Sequence, residues 1–172
     1  MAETHDLDFL KKSAVLVDVA RDLVVVSGAD RVRFLQGIVT GNIAGTPLGA
    51  GCHAALLTTK AHIVAEMWAF PRQAEMYLAV PRGEADTAAQ ALSRYAIMDD
   101  FAAVGSPAFT MVGLLGPAAA GCLAAAGYAT AAIEAAPLWS HADVSGPAGT
   151  LWLVHARQLG VDGFWIGGPM AA

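Results

Sequence analysis

The run Leu23-Val24-Val25-Val26-Ser27-Gly28-Ala29-Asp30-Arg31-Val32-Arg33-Phe34-Leu35-Gln36-Gly37-Ile38-Val39-Thr40-Gly41-Asn42 changes its periodicity once, and that change governs the reading of the fold. Residues 23–27 are β-branched and read as a strand. Ser27 then opens a helix through an N-capping box, with the Asp30 carboxylate reaching back to the cap. Behind it Val32, Leu35, Ile38 and Val39 share one face, while Arg31, Arg33 and Gln36 take the other. Gly41-Asn42 ends the helix and residues 45–49 form a loop.

Working outward, residues 14–19 are a second β-branched run, separated from 23–27 by the polar pair Arg21-Asp22; the two read as a hairpin or as two short strands. Strands are predicted at 54–59 and 63–70, joined through Lys60-Ala61-His62, and at 75–80, before Pro81. A helix over 83–97 buries a stripe of Ala85, Ala88, Ala89, Leu92 and Ala96. Strand 101–104, strand 109–115, helix 117–127 and a last strand pair at 151–156 and 164–166 follow, the pair joined near Gly160. Strands and helices mix without a regular βαβ rhythm, and consecutive strands look hairpin-linked. The expected class is α+β, with mixed, largely antiparallel sheets and a few packed helices.

The chain has 172 residues, 56% of them hydrophobic and 15% charged, which excludes a disordered chain. The length suits one domain or a compact pair. A net charge of −5 argues against a nucleic-acid partner, because phosphate binding needs a basic face. The two cysteines, Cys52 and Cys122, are too few for a disulfide framework and read as a reduced, cytoplasmic chain. The acidic start, Met1 to Asp6, has no basic region ahead of an apolar stretch, so no secretory signal is expected. No charge falls between Asp100 and Glu134, yet the stretch is mostly Ala and Gly with Pro107 and Pro117, and reads as a strand plus a small-residue helix rather than a membrane span.

Several strings resemble known motifs and fail on context. Gly49-Ala50-Gly51-Cys52-His53-Ala54 matches Gly-x-Gly-x-x-Ala, but Pro47 precedes it and a strand follows, so it reads as a turn. His5, His53, His62, His141 and His155 never pair at helical ligand spacing, and Cys52-His53 lacks a second cysteine, so no metal is expected. Asp99-Asp100 sits where a helix end disfavours negative charge; it is either a polar turn or a pair kept for another reason. Composition and spacing alone stop at an α+β domain without an autonomous catalytic signature.

Taken together, five segments resemble the YgfZ and glycine-cleavage T-protein folate-binding superfamily. Residues 23–43 are similar to its strand, "sGxDRxxFLQGxxTxD" helix start and turn. Residues 48–67 look like its "aLLtpqGkilaD" hairpin. Tyr95 to Asp100, Leu114 to Ala119 and Gly160 to Ile166 match three later landmarks in order. The resemblance spans residues 14–166, leaves 1–13 as an N-terminal extension, and makes 14–172 a folate-binding domain without the family's C-terminal part. It implies tetrahydrofolate as the possible cofactor, one-carbon or iron–sulfur-related work in the cytoplasm, and no membrane.

Carried over residue by residue, Thr40, Asn42, His62, Val64, Glu66 and Trp165 would contact the folate. A pterin wants a carboxylate for its amino-pyrimidine donors, flanked by apolar faces. The departures thin that set. The T-protein's Asp-Asp pair is Ala65-Glu66 here, its pterin-binding Glu is Trp165, its "TND" turn is Thr40-Gly41-Asn42, and its "Gly-Lys" is Ala61-His62. The Lys-Gly-Cys-Tyr-x-Gly-Gln-Glu string of YgfZ is absent. The resemblance therefore implies a folate-binding protein with degraded acids. The alternatives are an aminomethyl or methyl transferase with Glu66 as its base, and a structural subunit of a larger oxidoreductase, as a partner or homo-oligomer.

Overall fold

A computed structural model describes residue 9, residues 11–106 and residues 108–169; most of the expected N-terminal extension, His5 included, and Pro107 lie outside the described residues. The order is β1 (Val15–Asp18), β2 (Arg21–Ser27), α1 (Arg31–Ile38), β3 (Cys52–Leu57), β4 (Ile63–Pro71), β5 (Met76–Pro81), α2 (Ala85–Ser93), β6 (Ala102–Gly105), β7 (Phe109–Leu115), α3 (Ala119–Ala125), α4 (Ala131–Glu134), β8 (His141–Gly146), β9 (Gly149–Gln158) and β10 (Val161–Pro169). The strands form two five-stranded sheets, β3-β4-β5-β2-β6 and β1-β7-β10-β9-β8. The class is α+β. The chain divides into two compact units, one of residues 20–109 and one of residues 1–19 with 110–172.

In the 20–109 unit, alternation along each strand sends one set of side chains under the helices. Val24 and Val26 of β2, Ala65, Met67 and Ala69 of β4, and Met76, Leu78 and Val80 of β5 are buried with Phe34 and Leu35 of α1 and Ala88, Ala89 and Leu92 of α2. The opposite face of β4 carries Glu66 and Trp68. The helix α2 stops at Ser93, short of the expected 97. Ile97 and Met98 beyond it are 85% and 94% exposed.

Two local readings are settled. Of the alternatives for 14–19 and 23–27, two separate strands holds and the hairpin does not: β1 pairs with β7, from Val15↔Leu115 to Asp18↔Val112, while β2 pairs with β5 and β6. The spacer Val19-Ala20 offers one positive φ, at Ala20, where a tight two-residue hairpin of type I′ needs two. The capping box at Ser27 is also absent. Ser27 ends β2, and Asp30, at the N-cap of α1, makes no side-chain cap bond.

What holds the start of α1 is a clamp from Asp100. The Ala29 N–H donates to Asp100 Oδ2 at 2.8 Å, the Asp30 N–H donates to the Asp100 carbonyl at 3.1 Å, and the Asp100 N–H donates to Asp30 Oδ2 at 2.9 Å. Arg33 adds bonds to Asp30 Oδ1 at 3.3 Å and Asp99 Oδ1 at 2.6 Å. The bond from the Asp100 backbone, then Arg33, hold the Asp30 carboxyl below its usual range. The acidic pair Asp99-Asp100 thus serves the first turn of α1, seventy positions back along the chain.

In the other unit, Leu153 and Phe164 of β9 and β10 are buried with Ala119 and Leu123 of α3 and Ile133 of α4. Neither α4 nor β8 was predicted. Four residues of Ala-Ala-Ile-Glu carry too little periodicity for a helix reading, and β8 is an edge strand with one buried residue, His141. His141 Nδ1 accepts a hydrogen bond from Trp152 Nε1 at 3.1 Å, which satisfies two buried polar groups at once.

Candidate functional site

The helix-free face of the 20–109 sheet gathers charge around Glu66. In the β3–β4 ladder His53 stands opposite Trp68 and Ala55 opposite Glu66, so His53 is diagonal to Glu66 on the same face. Its Nε2 lies 2.5 Å from Glu66 Oε1. From β2, Arg21 reaches across: Nη1 donates to Glu66 Oε2, and Nη2 donates to Oε1 at 3.4 Å. The strand between is β5, where Arg21 faces Pro81.

Glu66 is therefore held at both oxygens. Burial is the largest single influence on it and pushes the carboxyl up; the bonds and charges of Arg21 and then His53 together outweigh burial, and it ends below its usual range. A carboxylate so placed is an electrostatic anchor more than a proton acceptor, because a general base works best near the operating pH. Beside it the half-buried Trp68 ring lies 5.2 Å from the His53 ring and 6.4 Å from Phe70.

The other expected contact residues sit on several elements. Thr40 Oγ1 accepts from the Ala55 N–H at 2.9 Å, and the Thr40 N–H donates to the Ala55 carbonyl at 3.0 Å, pinning the loop after α1 to β3. Asn42 Oδ1 accepts from the Gly45 N–H at 3.1 Å, and its carbonyl accepts from Thr46 Oγ1 at 2.7 Å. Both side chains build the loop. His62 is exposed at the β3–β4 turn, where its N–H donates to Thr58 Oγ1 at 3.1 Å. Val64 sits against the helix-covered core, next to the register shift at Leu56/Leu57. Trp165 belongs to the other unit, buried edge-on against Trp139 at 5.2 Å, with its Nε1 donating to Gln158 Oε1 at 3.2 Å.

That other unit contains a cavity of about 470 Å³ along β10, lined by Pro117, Glu134, His155, Asp162, Gly163 and Phe164 among others. Gly163 fits there because a Cβ would meet the Leu114 carbonyl oxygen at 2.3 Å. His155 Nδ1 lies 2.8 Å from the Ala136 carbonyl. Asp162 is gripped by Arg157, Nε to Oδ1 at 2.5 Å and Nη2 to Oδ2 at 3.0 Å.

With this geometry in view, the chain is similar in structure to the glycine cleavage system aminomethyltransferase T from Bartonella henselae, with a TM-score of 0.80 and 20% identity over 96% of this chain. The fold is aminomethyltransferase-like. This chain spans 44% of that enzyme's length. It is also similar to heterotetrameric sarcosine oxidase from Corynebacterium sp. U-96, crystallised with pyrrole 2-carboxylate, with a TM-score of 0.60 and 17% identity over 91% of this chain and 75% of that one. No family model matches the sequence, and no curated protein matches it. Among the described residues no helix is long and apolar enough to cross a membrane.

Sequence reading named Glu66 and missed its partners. Arg21 reads in the sequence only as part of a polar spacer, and His53 as part of a turn with no metal-ligand spacing. The signal was available in part: aligning the alternation of 52–57 with that of 63–71 brings His53 diagonal to Glu66. Nothing local announces Arg21, which arrives through a strand order that skips along the chain.

Proposed function

We propose that the chain is a protein of the folate-binding fold that holds tetrahydrofolate, or a ligand sharing its pterin ring, and transfers no group from it. The likeness to aminomethyltransferase T over 96% of the chain supports the fold half of this reading. The observation that carries the other half is Glu66, the one acid kept from the expected pair, clasped by Arg21 and His53. The donor chemistry fits a pterin: Glu66 Oε2, held by Arg21 Nη1 alone, retains a lone pair for an amino-pyrimidine donor, and Trp68 offers a flat apolar neighbour. When bound, tetrahydrofolate would supply a one-carbon carrier; Glu66 Oε2 would accept one of its ring N–H groups and Arg21 would keep Glu66 charged and oriented. Ala65, buried among the core side chains, supplies no second acid. The natural setting for such a protein is one-carbon work or the upkeep of iron–sulfur proteins.

Calorimetric titration with tetrahydrofolate and with 5-formyltetrahydrofolate tests the reading. Saturable heat is expected for at least one. No heat and no thermal shift at about 1 mM ligand, where even a weak −4 kcal/mol interaction registers, would sink it.

A second reading, a structural subunit, is favoured by the apolar side chains that follow α2. Tyr95, Ile97 and Met98 are 47%, 85% and 94% exposed within four positions. Exposed apolar clusters of this kind mark contact surfaces. Light scattering at high concentration is expected to show self-association if this reading holds, and a clean monomer counts against it unless a partner protein is supplied.

A further inference from the structure

We propose that the cavity along β10 is a binding site for a small organic cation, an amine or amidine carrying an aromatic or apolar body. The site is separate from the Glu66 cluster and does not rest on the folate reading. Its volume, about 470 Å³, lies in the range of ligand pockets. Its walls are apolar: Pro117, Ala119, Ala120, Val161 and Phe164 line it.

The polar groups set into those walls are chiefly acceptors. The Ala136 carbonyl can only accept, so His155 Nδ1, 2.8 Å away, carries the ring proton and leaves Nε2 as the acceptor of the neutral ring. The ring is steadied further, since the His155 N–H donates to the Ser140 carbonyl at 2.8 Å and its own carbonyl accepts from the Trp139 N–H at 2.6 Å. Asp162, on the neighbouring strand, is held as a carboxylate: the bond from Arg157 is the main influence, burial opposes it, and the charge of Arg157 reinforces it. Arg157 occupies one lone pair on each oxygen and leaves the others for a ligand. Glu134, the last residue of α4, adds a second carboxylate to the lining. Lys11 is the one cationic side chain among the lining residues. With Arg157 balancing Asp162 and Lys11 balancing Glu134 in charge, selection falls to hydrogen bonding, and the spare carboxylate lone pairs and the oriented imidazole favour a donor-rich ligand over an anion.

Benzamidine, benzyl alcohol and benzoate share one aromatic body and differ in charge, so they isolate the proposed recognition. Titrated into the full chain and followed by amide chemical shifts, benzamidine is expected to saturate with a Kd near or below about 1 mM. Its shifts should centre on Gly116, Gly163 and Phe164. Benzoate is expected to bind at least about tenfold more weakly, and Glu134→Gln to weaken benzamidine about tenfold, since each removes a charge-assisted hydrogen bond. Glu134 is exposed, so this substitution leaves the core untouched. Benzoate binding as tightly as benzamidine, undiminished affinity in Glu134→Gln, or shifts clustered away from β10 would each overturn the proposal. A failed tetrahydrofolate titration leaves all three outcomes readable.

Discussion

Gly28→Ala is expected to lower the unfolding free energy of the 20–109 unit by about 3 kcal/mol, the sum of left-handed strain and overpacking. Gly28 takes φ +104, a backbone region that L residues rarely adopt, and its missing Cβ is the space the Asp100 clamp occupies. A Cβ there would lie 2.1 Å from the Asp100 carbonyl oxygen, 2.6 Å from its carbon and 2.9 Å from the Phe101 Cα. All three are backbone atoms, so no side-chain rotamer relieves the clash. Either the three hydrogen bonds between residues 29–30 and Asp100 stretch, or Phe101 moves off the Phe34 ring, 4.2 Å away between centroids. Gly37, inside α1 with nothing within 4 Å of its would-be Cβ, is the internal control. Gly37→Ala is expected to raise stability by up to about 1 kcal/mol, as glycine loses more entropy in a helix. Urea denaturation of both variants decides the matter: if Gly28→Ala is as mild as Gly37→Ala, the clamp is not what orders the start of α1.

Glu66→Gln is the second large effect, and it carries a pH signature. At pH 7 the substitution is expected to cost about 2 kcal/mol, because Arg21, 20% exposed, loses a charge-assisted partner it cannot replace with water alone. The folded-state carboxyl lies below the ordinary value of 4.5. A depressed pKa contributes stability above the unfolded-state value, and that contribution fades as pH falls through the folded-state value. The gap between wild type and Glu66→Gln should thus be flat from pH 6 to 8 and close progressively below about pH 4.5. A gap that grew on acidification would mean that the fold raises the Glu66 carboxyl above its ordinary value instead of lowering it. The same variant separates binding from catalysis. Under the reading proposed above it weakens tetrahydrofolate, whereas a transferase using Glu66 as base would lose its rate in the same substitution.

Much of this architecture is written locally. The β-branched runs, the helix start after Gly28 and the Pro81 break each place an element within a few residues of where it falls. What local pattern lacks is pairing. The runs at 15–18 and 21–27 look like hairpin partners because they are adjacent, yet each joins a different sheet, through partners far along the chain. The site follows the same rule. Glu66 and His53 lie on neighbouring strands, and alternation brings them within sight of each other. Arg21 comes to Glu66 only after β5 has been laid between them, and His155, Asp162 and Glu134 meet through three elements, one of which, α4, is too short to read. Motif likeness named plausible ligand residues, but it did not distinguish Asn42, whose side chain shapes its own loop, from Glu66, which faces outward with two partners.

The pairing of β1 with β7 has a consequence for how the chain is made. Val15 waits for Leu115, a partner about a hundred residues downstream, and loop closure of that length slows pairing. The intervening 20–109 segment completes its own sheet first, since all five of its strands lie within it. During synthesis β1 therefore emerges before its partner and remains unpaired, with Val15, Leu16 and Val17 in a row, until β7 follows it from the ribosome. The order of emergence makes β1 a strand that needs protection until β7 arrives.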